Sequence, residues 1–137
     1  MGAIASEIVA VVIAGSVGFA IGGLWYAPFA FGQLWLRQTT VSAEDLQRSA
    51  ELGPTTIALG AAMVQAAVLA LVLKAARVEG PAPVLGTALL LWLGFTAAPS
   101  FVDALESRRP LVSWLVDAGH RLAAALAMGA VLAFWPH

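Results

Sequence analysis

Three stretches of the chain, residues 8–36, 52–73 and 80–102, contain no charged side chain. A helix needs roughly 20 apolar residues, at about 1.5 Å of rise each, to cross the hydrocarbon core of a bilayer. In hydrocarbon every backbone N–H and C=O must find its partner within the protein, so only helices and closed barrels span it. A barrel strand alternates apolar and polar residues, and no such alternation runs through these stretches. The expected fold is therefore all-α: an integral membrane bundle of four transmembrane helices forming one domain over residues 1–137. The spans are placed at about 4–27, 55–76, 83–105 and 111–135. The fourth is apolar but contains Asp117, His120 and Arg121.

Composition agrees. Hydrophobic residues make up 61% of the chain and charged ones 11%, where a soluble domain carries about 25% charged residues. A formal net charge of −1 leaves no basic surface for nucleic acid. The absence of cysteine excludes disulfides and thiol chemistry. No second histidine or cysteine joins His120 within the spans, so neither a metal nor another cofactor is expected. No nucleophile–base pair, phosphate-cradling loop or metalloprotease pattern appears, and no enzymatic activity is expected. The N-terminal apolar run has no basic leader segment and reads as a retained first span.

Prolines 28, 54, 81, 83 and 110 fall at the proposed span ends, where a missing N–H costs least. Pro99 lies inside the third span and predicts a kink there. The long connection, residues 28–54, begins with an aromatic-rich stretch and continues from Ser42 as a short amphipathic helix. Glu44 and Asp45 suit the first turn of that helix, and Gly53-Pro54 stops it. Such a segment is too short to stand alone and is expected to rest on the membrane interface.

Lipid supplies no hydrophobic drive between helices, so close backbone contact must hold them together. Ala14, Gly18 and Gly22 recur every fourth residue in the first span, with Gly15 and Ser16 beside them. This row predicts a tight helix–helix seam, within one chain or between chains. The rows Ala62, Ala66, Ala70 and Ala125, Gly129, Ala133 are read as the product of an alanine-rich composition.

Charges within spans usually face the bundle interior and find partners. Asp117 and Arg121 are four apart, acid first, the better order for a helical pair. Thr96, Ser100 and Asp103 form a row at helical spacing in the third span. Folding the last two spans about Arg108-Arg109-Pro110 brings Asp103 near the level of Asp117, and Ser100 near that of His120 and Arg121. These five residues, Asp103, Asp117, His120, Arg121 and Ser100, are expected to form one polar intramembrane cluster. It reads either as a chamber for an anionic group or a proton, or as structural ion pairs pinning two helices. Gln65 is read as a helix–helix hydrogen bond, and Glu7 as an interfacial charge without a role.

The pattern Gly22-x-x-Trp25-Tyr26-x-Pro28-x-x-Phe31-Gly32-x-x-Trp35 reads as an aromatic anchor at the membrane interface, or as a lid over the polar chamber. It resembles the signature of a family of small bacterial integral membrane proteins catalogued as a domain of unknown function. The resemblance continues through Trp92-Leu93-Gly94-Phe95, the Arg108-Arg109-Pro110 turn, and Asp117-Ala118-Gly119-His120. It departs at His120, where a tyrosine is more usual, and at Arg121. The resemblance implies four membrane helices and carries no activity.

Taken together, these features suggest a self-associating helical bundle or an accessory subunit of a membrane complex, with membrane lipids and a second copy or larger complex as partners. A small transporter using the polar cluster is the alternative, and lipid or headgroup binding a second one. In a multi-pass protein of the cell membrane, an outside N-terminus puts Arg37, Arg48, Arg108 and Arg109 inside, and Lys74 and Arg77 outside. That orientation follows the positive-inside rule.

Overall fold

The structure, a computed structural model, describes residues 2–26 and 52–136, the second stretch with side chains from 55 onward. The expected interfacial segment, with Pro28, Phe31, Gly32 and Trp35 of the aromatic motif, lies outside the described residues. Four helices are long and apolar enough to cross a membrane. These are α1 (Ala3–Trp25), α2 (Leu52–Ala75), a third span over Pro81–Glu106, and α5 (Leu111–Phe134). The third span is composite: α3 (Pro81–Trp92), a π-helical turn (Leu93–Ala97) and α4 (Ala98–Glu106). No strand occurs among the described residues. The protein is an all-α, multi-pass membrane bundle.

The π turn is the local answer to Pro99. Proline offers no N–H to the carbonyl four residues back, and its ring crowds that carbonyl. The backbone widens just before it, so that the Ala98 N–H reaches the Leu93 carbonyl. The disturbance expected at Pro99 thus appears one turn earlier, as a wider helix.

The tight turns after α2 and α4 close in the same way. Val78 N–H bonds the Leu73 carbonyl, and Arg109 N–H the Ala104 carbonyl, both at 2.9 Å. Each wraps a left-handed residue, Arg77 at φ 56° and Arg108 at φ 55°. Glycine is the common choice there, whereas arginine sets a cation at the negative end of the helix dipole. Gly80, at φ 88°, then turns the chain into Pro81.

Packing runs in the order α2, α1, α5, α3. The first helix lies against both α2 and α5, α5 also lies against α3, and α2 meets α3 only slightly. This curved row closes where α1 begins and α5 ends, around a core of Ala14, Ala66, Leu69, Leu73, Val84, Ala88 and Met128. At the other end the described residues leave room between helices.

The row of small residues on α1 is spent within the chain. A Cβ at Gly15 would stand 2.6 Å from Met63 Sδ and 3.1 Å from its Cα on α2. One at Gly18 would overlap the Met128 side chain of α5, and one at Gly22 would stand 2.8 Å from His120 Nε2. Ala14 is fully buried, whereas Ser16 turns outward and bonds the Val12 carbonyl. The alanines of α2 also prove to be packing residues rather than a by-product of composition, because Ala62 and Ala66 are buried. Gly129 likewise faces Val84 and Ala88 of α3.

We expect Gly15→Val to lower the thermal midpoint of the detergent-solubilised protein substantially, since overpacking a tight contact costs about 1–3 kcal/mol. Gly86→Val is the matched control, because a Cβ there meets nothing within 4 Å among the described residues. Equal losses in the two variants would mean that α1 and α2 are not closely packed.

Candidate functional site

The polar residues of the bundle gather at the open end, where the last turn of α1 meets the first half of α5. Gly18, Gly22 and Trp25 follow one another at four- and three-residue spacing, so the face that carries the glycine seam also carries Trp25. Its indole lies so close to Gly119 that a Cβ there would stand 3.0 Å from the ring. Trp25 Nε1–H donates to the Val116 carbonyl at 2.9 Å. That carbonyl has a second lone pair beyond its helical bond.

The neighbouring residue completes the junction. Tyr26 donates its phenolic hydrogen to the Asp117 carboxylate, and its ring meets the edge of His120, with centroids 5.3 Å apart.

The other indoles act alike. Trp92 Nε1 donates to the Ala118 carbonyl at 2.9 Å, and Trp114 Nε1 to Ser100 Oγ at 2.9 Å. Trp135 Nε1 reaches Ser6 Oγ at 3.0 Å. Every tryptophan among the described residues thus ties one helix to another. Trp25 and Tyr26 were expected to act as an interfacial anchor or lid. The structure turns both towards α5, with Tyr26 also on the wall of a cleft, since an indole or phenol hydrogen left without an acceptor in lipid is costly.

Four of the five expected cluster residues, Ser100, Asp103, Asp117 and Arg121, line one cleft, while His120 lies with Arg121 on another. Among the described residues, no hydrogen bond or ion pair joins any two of the five. Asp117 binds Tyr26 and, at 3.4 Å, Arg109 Nη1 from the preceding turn. It does not take Arg121 as its partner. Arg121 is exposed rather than buried, and it makes no hydrogen bond or ion pair among the described residues. Ser100 accepts from Trp114 and bonds the Ala97 carbonyl, so its hydroxyl is committed to helix packing. Asp103 is exposed. Glu7, read as having no role, pairs with Lys74 at 3.3 Å on the surface, a contact of small worth.

Two clefts flank the Tyr26–Asp117 contact. The larger, of about 730 Å³, lies between α1, α2 and α5. Its polar groups are Tyr26, Thr55, Gln65, His120 and Arg121, and its apolar wall includes Gly18, Ala58, Ala62 and Met128. Gln65, expected to bond another helix, is exposed along this cleft. The smaller cleft, of about 340 Å³, carries Ser100, Asp103, Arg109 and Asp117. Arg121 lines both. Its guanidinium is a planar fork of donors suited to a carboxylate or phosphate. Among the described residues, no three His, Cys, Asp or Glu side chains converge as metal ligands would.

Residues 9–133 match the family described as protein of unknown function (DUF1761). The chain belongs to this family. No curated protein and no solved structure matches it. The matched region of this DUF1761 protein contains the whole α1–α5 junction, from Gly22, Trp25 and Tyr26 to Asp117, Gly119 and His120. The tie between Ser6 and Trp135 falls outside it.

For the DUF1761 junction we expect Trp25→Phe to cost about 1 kcal/mol or more, the price of one neutral hydrogen bond with a buried acceptor left behind. Tyr26→Phe should cost at least as much, because it strips a donor from a carboxylate. Chemical unfolding in mixed micelles measures both. Unchanged midpoints would place the two side chains at the interface instead.

Proposed function

We propose that this protein binds an anionic group inside the membrane, with Arg121 as its countercharge, in the cleft between α1, α2 and α5. The observation that carries the reading is an arginine without an ion pair among the described residues, ten residues beyond the start of a 24-residue span. At about 1.5 Å per residue it stands roughly 15 Å from the start of α5, near mid-membrane. Intramembrane charges are costly and mark functional sites unless they are paired within the protein. The carboxylate four residues away is already held by Tyr26 and Arg109, which supports a partner from outside. The reading is of a binding protein and assigns no reaction.

Self-association or service as an accessory subunit remains compatible with four spans and short turns. Its support in the α1 glycine row is weaker, since those glycines face α2 and α5 of the same chain. Passage of the ligand between the clefts is favoured by one observation, that Arg121 lines both. With the N-terminus outside the cell membrane, the Tyr26 end of the cleft faces the cytoplasm, following the positive-inside count.

Native mass spectrometry of gently extracted protein tests the reading. The wild type should retain a small anionic adduct that Arg121→Gln loses and Asp103→Asn keeps. A bare wild type, or equal adducts on all three, would overturn it. The same spectra count chains per particle, and a dimer surviving in every variant would favour self-association. For passage, ligand flux into proteoliposomes should fall in Asp117→Asn at unchanged helicity; undiminished flux would remove that reading.

A further inference from the structure

We infer that the occupant of the larger cleft is a membrane-borne amphiphile, with one small anionic head at Arg121 and one slender apolar tail. The inference rests on the proposal that Arg121 counters an anion, and it names the class of molecule.

Depth is the first argument. An anion arriving from water at mid-membrane must shed its hydration shell before meeting one guanidinium, and dehydrating a charge costs several kcal/mol or more. An amphiphile already dissolved in the bilayer carries its tail in lipid and brings its head to the arginine from within. The long arginine stem can also reach towards the head, as such side chains do near membrane interfaces.

Charge count is the second argument. Among the described residues, Arg121 is the only permanently cationic side chain lining the larger cleft, and no carboxylate lines it. One cation matches one negative charge. His120 borders the cleft and supplies a hydrogen-bonding group for a head oxygen. The other cation of this region, Arg109, is engaged with Asp117 in the smaller cleft.

The shape of the wall is the third argument. The apolar part of the lining includes Gly18, Phe19, Ala58, Ala62 and Met128. Three of these five side chains are a hydrogen or a methyl, which leaves an apolar trough for a chain beside the Phe19 ring. Methionine is unbranched and adapts to whatever lies against it. The volume of about 730 Å³ falls in the range of roughly 300–1,000 Å³ seen for sites that enclose small molecules. The cleft thus sets a mostly apolar wall, interrupted by Gln65, next to the polar groups around Arg121.

Thermal unfolding in nanodiscs of zwitterionic phosphatidylcholine tests the inference. The probes are dodecyl phosphate, inorganic phosphate and dodecylphosphocholine, each titrated against the wild type, Arg121→Gln and Ala58→Phe. Ala58 is exposed along the cleft, so phenylalanine there should fill the trough without disturbing the core. We expect dodecyl phosphate to raise the wild-type midpoint by several degrees, saturably, and the rise to vanish in both variants. Inorganic phosphate and dodecylphosphocholine should leave the midpoint unmoved. Stabilisation by inorganic phosphate that depends on Arg121 would overturn the amphiphile and leave anion binding standing. Equal stabilisation by the two dodecyl compounds, or by dodecyl phosphate in all three proteins, would overturn the amphiphile as well. If neither phosphate acts on the wild type, both the inference and the proposal beneath it fail.

Discussion

The contact between the end of α1 and the first half of α5 organises this protein. Lipid offers its helices no reward for burying apolar surface, since the solvent is itself apolar. What remains is van der Waals contact at short range and hydrogen bonds without competition from water. Gly18 and Gly22 let α1 approach α5 closely enough for both. Trp25 and Tyr26 then fall within reach of the Val116 carbonyl and the Asp117 carboxylate. Gly119 supplies the remaining space. Remove the close approach and the two bonds lose their geometry; remove the bonds and two polar hydrogens are stranded in hydrocarbon.

The same contact shapes the space around it. With α1 held against α5 at one edge and against α2 at the other, the bundle closes around small side chains where α1 begins. Towards the end of α1 the described residues leave the gap between α2 and α5 unfilled, and the larger cleft results. Tyr26 and Asp117 stand between that cleft and the smaller one, so the bond that fastens two helices is also a partition. Residues 116–120 hold the bundle, and Arg121 faces open space on both sides.

Much of the candidate site was legible in the sequence as a set of residues and not as a set of bonds. Asp117 and Arg121 have the spacing of a helical ion pair, and an isolated helix would form it. Here Tyr26, distant in sequence, and Arg109, aimed by a left-handed turn at Arg108, compete for the same carboxylate and hold it. Trp25 gave a sequence signal that pointed inward, its place on the glycine face of α1. The general preference of tryptophan for membrane interfaces pointed outward, and the indole followed the face.

The sequence by itself determined that the chain crosses a membrane four times as helices. Runs without charge, a low charged fraction and prolines at the span ends each reflect the cost of bare backbone in hydrocarbon, a cost paid segment by segment. It determined, too, that Pro99 would disturb the third span. Only the tertiary structure decided which helix each glycine faces, which hydrogen acceptor each indole finds, and that Arg121 rather than Asp117 is left without a partner among the described residues. Those outcomes depend on competition among groups distant along the chain. In lipid such competition is won by the pair that can approach most closely, and closeness of approach is a property of the packed bundle.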